Sequence, residues 1–384
     1  MHILFVEPQY PNISGDQGGA GTYVRNVGLE LIKRGHKVSV LRGGNHLIEN
    51  RFRIDQGINV YSQKIKSNLA WYIYKTPVIN KLFFPIIRYL IVGLHKNIYI
   101  NKINKKDRID IIEYSSEGDF WQCIFKSKPY IVHLHGSEFS YKNYLGKKMS
   151  NGEKLMNKFE GMFYKNSKHI FAPSKWILNQ TEMEIRTKFK CNSLLKYPIT
   201  NHLIKEKGNK NNKILFFMAA RDDPTKGWGV LIEVIKSLDS KILTKSKFVF
   251  YGFKPRGNII IPKNVQVHPF TKRFDVLVAL NTADVAIVPS WVDNSPYTIY
   301  EAMSFAKPVI GSNIGGIPEL IKHKFNGLLF NDRNKAELKN AIEYMIKYPE
   351  KKRQMGNNAI KYINDECDLN SNISSRLNIW QKSC

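Results

Sequence analysis

The sequence predicts an α/β chain built from two doubly wound parallel-sheet domains. Three observations carry this reading. The chain has 384 residues, more than one ordinary domain. Short β-branched runs alternate with segments of helical period along most of its length. A polar stretch rich in Lys and Asn near the middle separates two such alternations. With 43% hydrophobic and 24% charged residues the composition supports folding throughout.

Residues 3–6, "ILFV", read as a buried strand. Residues 22–35 read as a helix with Val24, Val27 and Leu31 on one face and Gly35 as its stop. "KVSVL" resumes as a strand, and further strands are expected at 58–61, 109–114, 130–135 and 169–172. "NHLIKEKGNKNNK" at 201–213 has no apolar period, so the first domain is set at 1–203 and the second at 204–365. Strands of the second alternation are expected at 214–218, 247–252, 265–267, 285–289, 308–312 and 327–330. Residues 366–384 read as one last helix, expected to return to the first domain. No repeat of fixed period is visible. In such sheets ligands sit beyond the C-terminal strand ends, which puts the chemistry in a central cleft between the domains.

Lys and Arg total 59 against 32 Asp and Glu, a formal charge of +27. Such an excess suits nucleotide phosphates, anionic lipid headgroups or nucleic acid, and a lysine-rich codon bias accounts for part of it. Cys123, Cys191, Cys367 and Cys384 are scattered, which indicates neither a zinc site nor a disulfide framework. The opening "MHILFVEPQY" lacks the pattern of a signal peptide, and a cytoplasmic protein is expected. In residues 80–102, Asn80 is placed to cap a helix with Pro85 in its first turn. There Lys81, Arg88, His95 and Lys102 recur every seven residues. A helix lying on an anionic membrane surface fits this spacing, and so does a core helix whose cations snorkel outward.

The segment "VPSWVDNSPYTIYEAM" carries the strongest chemical signal. Ser295 is placed to cap a helix with Pro296 at its first position, Asp293 hangs in the preceding loop, and Glu301 lies on the helix. Helix amides hold diphosphates and carboxylates accept bonds from sugar hydroxyls, although an Asp before a helix also complements its dipole. "SNIGGIPELI" sets Gly315 and Gly316 before a short helix, and "AARDDPTKGW" sets Arg221 and Lys226 just past a strand. Two cations there are suited to a pyrophosphate, and are also unremarkable as surface charges.

"SGDQGGAGTYV" resembles a dinucleotide fingerprint, with Gly15, Gly18, Gly19 and Gly21. Some fifteen residues part Val6 from Thr22, however, where the tight fingerprint joins strand and helix almost directly. A glycine loop approaching a phosphate or sugar fits better. "IVHLHGSE" places His133 and His135 on one face of a strand, with His135 at its C-terminal end. No carboxylate joins them at ligand spacing, so no metal site is indicated.

These pieces in this order, "GGAGTYV", "HLHGSE", "APSKW", "RDDPTKGW", "VPSWVDNSPYTIYEAM", "KPVIGSNIGGIPELI" and "NGLLF", resemble the retaining family 4 glycosyltransferases of the GT-B fold. The resemblance implies an acceptor-binding first domain and a second domain that binds a nucleotide sugar. It implies that Glu301 binds the ribose hydroxyls and that Arg221 and Lys226 clamp the diphosphate. Asp293 stands where the family has a Glu near the donor sugar, one methylene longer. Asn294, Ser295, Tyr297 and Thr298 replace a glycine-rich amide stretch beside the donor. Gly18 and Gly19 match the N-terminal loop, and His135 matches the histidine beside the donor sugar. The base would lie against the start of "HPFTKR" at 268–273. No cofactor beyond the nucleotide sugar is implied, and the acceptor is expected to be a saccharide or lipid-linked saccharide of a bacterial surface polysaccharide. A nucleotide-sugar epimerase shares the two-domain plan and is set apart by needing no acceptor. A nucleic-acid-binding protein answers the charge, but the lysines are spread out and no recognition module appears.

Overall fold

A computed structural model describes residues 1–11, 18–44, 51–64, 77–116, 118–126, 128–136, 141–142, 145–199, 213–255, 259–269 and 272–384, with backbone alone at 44, 64 and 77–85. The polar stretch at 201–213, apart from Lys213, and Gly15 of the glycine loop lie outside the described residues. Two compact units are present, Met1–Pro198 with Leu369–Cys384, and Ile199–Asp368.

The first unit is built on eight strands: β1 (His2–Val6), β2 (Lys37–Gly44), β3 (Arg51–Asp55), β4 (Ile58–Lys64), β5 (Ile111–Ser115), β6 (Tyr130–His133), β7 (Ile170–Ala172) and β8 (Asn192–Leu194). Their order is β3-β4-β2-β1-β5-β6-β7-β8, so the winding reverses between β1 and β5. The inner strands are apolar runs buried on both faces, as parallel strands covered by helices must be. Two strands are additions to the expected set. β3 pairs antiparallel with β4 through Gln56 and Gly57, both at positive φ, and its Phe52 and Ile54 are exposed. β8 is three residues long with little burial, too short to leave a period in the sequence.

Helices α1 (Gly19–Lys33), α2 (Pro77–Lys106), α3 (Phe120–Phe125), α4 (Asn151–Asn166) and α5 (Lys175–Glu184) belong to this unit. α1 buries Tyr23, Val24, Val27 and Leu31. α2 is longer than expected. Pro77 opens it, where a missing N–H is harmless, so Asn80 is interior and not a cap.

The second unit carries β9 (Ile214–Ala219), β10 (Ser246–Tyr251), β11 (Val265–His268), β12 (Val285–Val288), β13 (Val309–Ser312) and β14 (Gly327–Phe330). All pairings are parallel, in the order β11-β10-β9-β12-β13-β14. Helices α6 (Trp228–Lys236), α7 (Ser240–Thr244), α8 (Arg273–Thr282), α9 (Tyr297–Ser304), α10 (Lys335–Lys347) and α11 (Pro349–Glu366) connect them. The core joins Phe216, Phe248, Ile287 and Ile310 of the sheet to Leu231, Ile235, Leu338 and Ile342 of α6 and α10. The winding reverses between β9 and β12, the place where open α/β sheets bind ligands.

The last helix, α12 (Leu369–Ser383), packs with the first unit. Trp380 meets Phe5 edge to face at 6.1 Å, and Arg34, which caps the end of α1, donates to Asn370 Oδ1 at 2.8 Å.

The loops leaving β9 and β12 are joined at Gly227. This residue holds φ +80°, and a Cβ added to it would fall 1.9 Å from the Pro289 carbonyl oxygen. Beside it, the Trp291 amide donates to the Thr225 carbonyl at 2.7 Å. Gly227→Ala is therefore expected to lower the stability of the second unit by about 1–3 kcal/mol. Urea unfolding monitored on that unit checks this, and an unchanged midpoint would contradict the tight joint.

Candidate functional site

The turn after β9 is a short 3-10 helix, Pro224–Lys226, started by Asp223, whose Oδ1 accepts from the Thr225 amide at 2.9 Å. This cap aims Lys226. Its Nζ donates to Asp293 Oδ2 at 2.7 Å, with the two side chains only 18% and 11% exposed. Asp293 Oδ2 also accepts from Ser290 Oγ at 3.2 Å. The Asp293 carbonyl accepts from the Gly316 amide at 3.1 Å, and a Cβ on Gly315 would meet that carbonyl oxygen at 1.9 Å. The glycine pair after β13 is thus a tight turn that fixes the backbone of Asp293.

The start of α9 differs from expectation. Pro296, at φ −61° and ψ 117°, is extended and stands at the cap position, so the helix begins at Tyr297. Ser295 makes no backbone cap, and its hydroxyl pairs with the Tyr300 hydroxyl at 2.6 Å. Asn294 is buried, and the ring of Tyr297 stacks on that of Tyr300 at 5.9 Å. Thr298 Oγ1 donates to the Ala219 carbonyl at 3.3 Å, which ties α9 to the end of β9.

Glu301 lies one turn into α9 and accepts from Arg273, the first residue of α8. Burial pushes the Glu301 carboxyl above its ordinary range, and the Arg273 charge acts against that rise. Sequence reasoning missed Arg273, although it closes the "HPFTKR" segment already singled out. His268, which opens that segment, stacks on Tyr251 at 4.6 Å across the ends of β10 and β11. Arg221 is exposed two residues past β9, and its carbonyl accepts from Trp228 Nε1 at 3.0 Å. Arg221, Lys226, Asp293, Asn294, Ser295, Tyr297, Thr298 and Glu301 therefore all stand in the second unit, past the C-terminal ends of β9 and β12. Cations, a helix start and a buried carboxylate are groups whose chemistry suits anionic and hydroxyl-bearing ligands.

Gly18, Gly19 and His135 belong to the first unit. Gly18 precedes α1 and Gly19 begins it. The position that demands glycine is Gly21, which was not assigned a role: a Cβ there would lie 1.9 Å from the Gln9 carbonyl oxygen. His135, just past β6, pairs through Nδ1 with the Tyr197 hydroxyl at 2.6 Å. Its ring lies 4.3 Å from that of His133 and 5.4 Å from that of Tyr23. The amides of His135 and Gly136 donate to Ser116 Oγ at 2.5 and 3.1 Å. Burial, and then the neighbouring His133, hold the His135 imidazole well below its usual range, so it is neutral at neutral pH. Tyr23, Ser116 and Tyr197 went unnoticed because each reaches the histidine from a different element.

Among the described residues no group of three or more His, Cys, Asp or Glu is placed to hold a metal ion, and no helix is long and apolar enough to cross a membrane.

Residues 200–362 match the family described as Glycosyl transferases group 1, and residues 17–186 match Glycosyltransferase Family 4. An uncharacterized glycosyltransferase of Haemophilus influenzae is 24% identical over 89% of this chain and 90% of its own length. UDP-Gal:alpha-D-GlcNAc-diphosphoundecaprenol alpha-1,3-galactosyltransferase of Escherichia coli is 32% identical over 33% of this chain and 35% of its own. Among solved structures, sucrose-phosphate synthase from Thermosynechococcus elongatus matches with a TM-score of 0.78 at 14% identity, covering 99% of this chain and 98% of that one. Anabaena HepE in complex with UDP matches with a TM-score of 0.70 at 15% identity over the whole of both chains. The fold is that of the GT-B glycosyltransferases, and the chain is an enzyme that belongs to the group 1, family 4 glycosyltransferases.

Proposed function

We propose that the chain moves a hexose-type sugar from a nucleoside diphosphate donor to a saccharide or lipid-linked saccharide acceptor, with retention of configuration and without a metal. The observation that carries this reading is that Lys226 pairs with Asp293, and Glu301 with Arg273, on the loops and helices that follow the strands at the reversal of winding in the second sheet. The HepE complex with UDP and the undecaprenyl-linked acceptor named for the Escherichia coli relative support the donor and acceptor classes.

The residues divide the work by chemistry. As the glycosidic bond breaks, negative charge grows on the leaving diphosphate. Fixed cations facing it stabilise the transition state more than the ground state. Lys226 has three N–H donors, of which Asp293 takes one. The others, with the exposed Arg221, face the diphosphate. Glu301 accepts from the ribose hydroxyls, and Arg273 keeps a positive charge beside it. Asp293 orients Lys226 and lies near the sugar, while Asn294, Ser295, Tyr297 and Thr298 line the donor. A departing phosphate oxygen takes the acceptor proton while the new bond forms on the same face, so no separate base is required. Gly18, Gly19 and His135 are assigned to donor contact by the resemblance.

Screening UDP-, GDP-, ADP- and dTDP-sugars by thermal shift identifies the donor, since bound ligand stabilises with the logarithm of its excess over Kd. With that donor, Lys226→Ala and Glu301→Ala are each expected to cut transfer by about 100-fold or more while circular dichroism stays native. Near wild-type turnover in both would refute the assignment.

The same reading places the enzyme at the inner face of the plasma membrane, held by α2. On that helix Arg88 and Lys102 are exposed, His95 is half-buried and Ile98 is exposed. The side chain of Lys81 lies outside the described residues. Replacing Lys81, Arg88 and His95 together by Ala is expected to weaken sedimentation with anionic vesicles at low salt. Unchanged sedimentation would remove the membrane role.

A further inference from the structure

Beneath His135 the first unit holds a polar cluster that the proposed chemistry leaves unused. Glu113 on β5, His133 on β6 and Arg376 on α12 are each at most 2% exposed. A carboxylate and a guanidinium so buried are costly unless each offsets the other. Tyr23 of α1 stands at the centre. Its hydroxyl donates to Glu113 Oε1 at 2.7 Å, and the Arg376 Cζ lies 4.9 Å from its ring centre. The rings of His133, His135 and Tyr197 lie 4.6, 5.4 and 5.3 Å from the same ring.

Arg376 is fixed from its own helix. Nε donates to Asn372 Oδ1 at 2.8 Å, and Asn372 in turn donates to the Lys196 carbonyl at 2.9 Å. Cζ also lies 4.8 Å from the ring centre of Phe171 on β7. Among the described residues, Arg376 Nη1 and Nη2, Glu113 Oε2 and both ring nitrogens of His133 are buried without a hydrogen-bond partner. His133 Nδ1 nevertheless lies 3.4 Å from Glu113 Oε1. Charge balance therefore decides the state of the cluster. Burial pushes the Glu113 carboxyl up, and the charge of Arg376, though not hydrogen-bonded to it, works against that rise. Without Arg376, His133 is the group closest to Glu113 that can become a cation, and its ring is 4.3 Å from that of His135.

We propose that Arg376 is a positioning residue for His135, acting through Glu113 and Tyr23 to keep the two neighbouring imidazoles uncharged and the His135 ring seated against Tyr197. This rests on the sugar-contact role given to His135 above. In this arrangement the His135 ring and the Tyr197 hydroxyl share a hydrogen bond at Nδ1, which fixes the ring's orientation. The charged and titratable groups facing the two rings are Glu113, Tyr23, Tyr197 and Arg376. Burial lowers both histidines first, and Arg376 adds to that lowering, so the sign agrees with the geometry.

The test is a histidine-ring NMR titration of the full chain from about pH 5 to 8, with His133→Asn and His135→Asn identifying the signals. In the wild type both rings should stay neutral across this range. In Arg376→Met one of them should take up a proton, its midpoint raised by about one to three pH units, the effect of a carboxylate left unopposed nearby. Arg376→Met combined with Glu113→Gln should restore the neutral rings. A folded Arg376→Met whose rings remain neutral overturns the proposal. Should that variant fail to fold, recovery of the fold in the double variant supports charge balance. Loss of fold in both means that Arg376 merely packs α12, and overturns it. His135→Ala with undiminished transfer would remove the sugar-contact role while leaving the titration result in place.

Discussion

The ion pair between Lys226 and Asp293 joins the two loops that leave the central strands of the second sheet. The site around it depends on that joint. Lys226 is aimed by the capped turn that Asp223 starts, and Asp293 is held by Ser290 and by the Gly315–Gly316 turn. Both side chains are largely out of solvent, so removing either partner leaves a charge with reduced hydration. The pair thus sets a lysine in one orientation before any ligand arrives, the preorganisation that electrostatic stabilisation of developing charge requires.

The Arg273–Glu301 pair extends the same logic to a second carboxylate. Glu301 is buried on a short helix whose position is fixed by Thr298 at the end of β9 and by Ser295 on Tyr300. A carboxylate in that setting is poor company for water and good company for hydroxyl donors that come with a bound ligand. The two pairs share the second unit, while the first unit carries its own buried arrangement around Tyr23. There the closing helix contributes Arg376 to a cluster of residues from α1, β5 and β6.

Most strands and the doubly wound plan were legible because parallel strands are continuous apolar runs whose flanking helices show a 3.6-residue period. β3 and β8 were not, since an exposed edge strand and a three-residue edge strand carry no such run. Arg221 and Lys226 were readable as cations just past a strand, and Asp293 and Glu301 as acids before and within a helix. What escaped was partnership across the chain. Arg273 meets Glu301 from 28 positions away, and nothing local to either marks the other. Ser295 looked like a cap because of its type and place, but the extended Pro296 after it moved the helix start and freed the hydroxyl for Tyr300. Gly21 was passed over for Gly18 and Gly19, because only the fold reveals which glycine touches the backbone of Gln9.

The most direct measurement is a crystal structure of the chain with the nucleoside diphosphate sugar that stabilises it. The account predicts the diphosphate against Arg221 and Lys226, with Asp293 still holding Lys226 and the ribose hydroxyls on Glu301. A diphosphate bound away from those cations, or a ribose that leaves Glu301 paired only with Arg273, would contradict it.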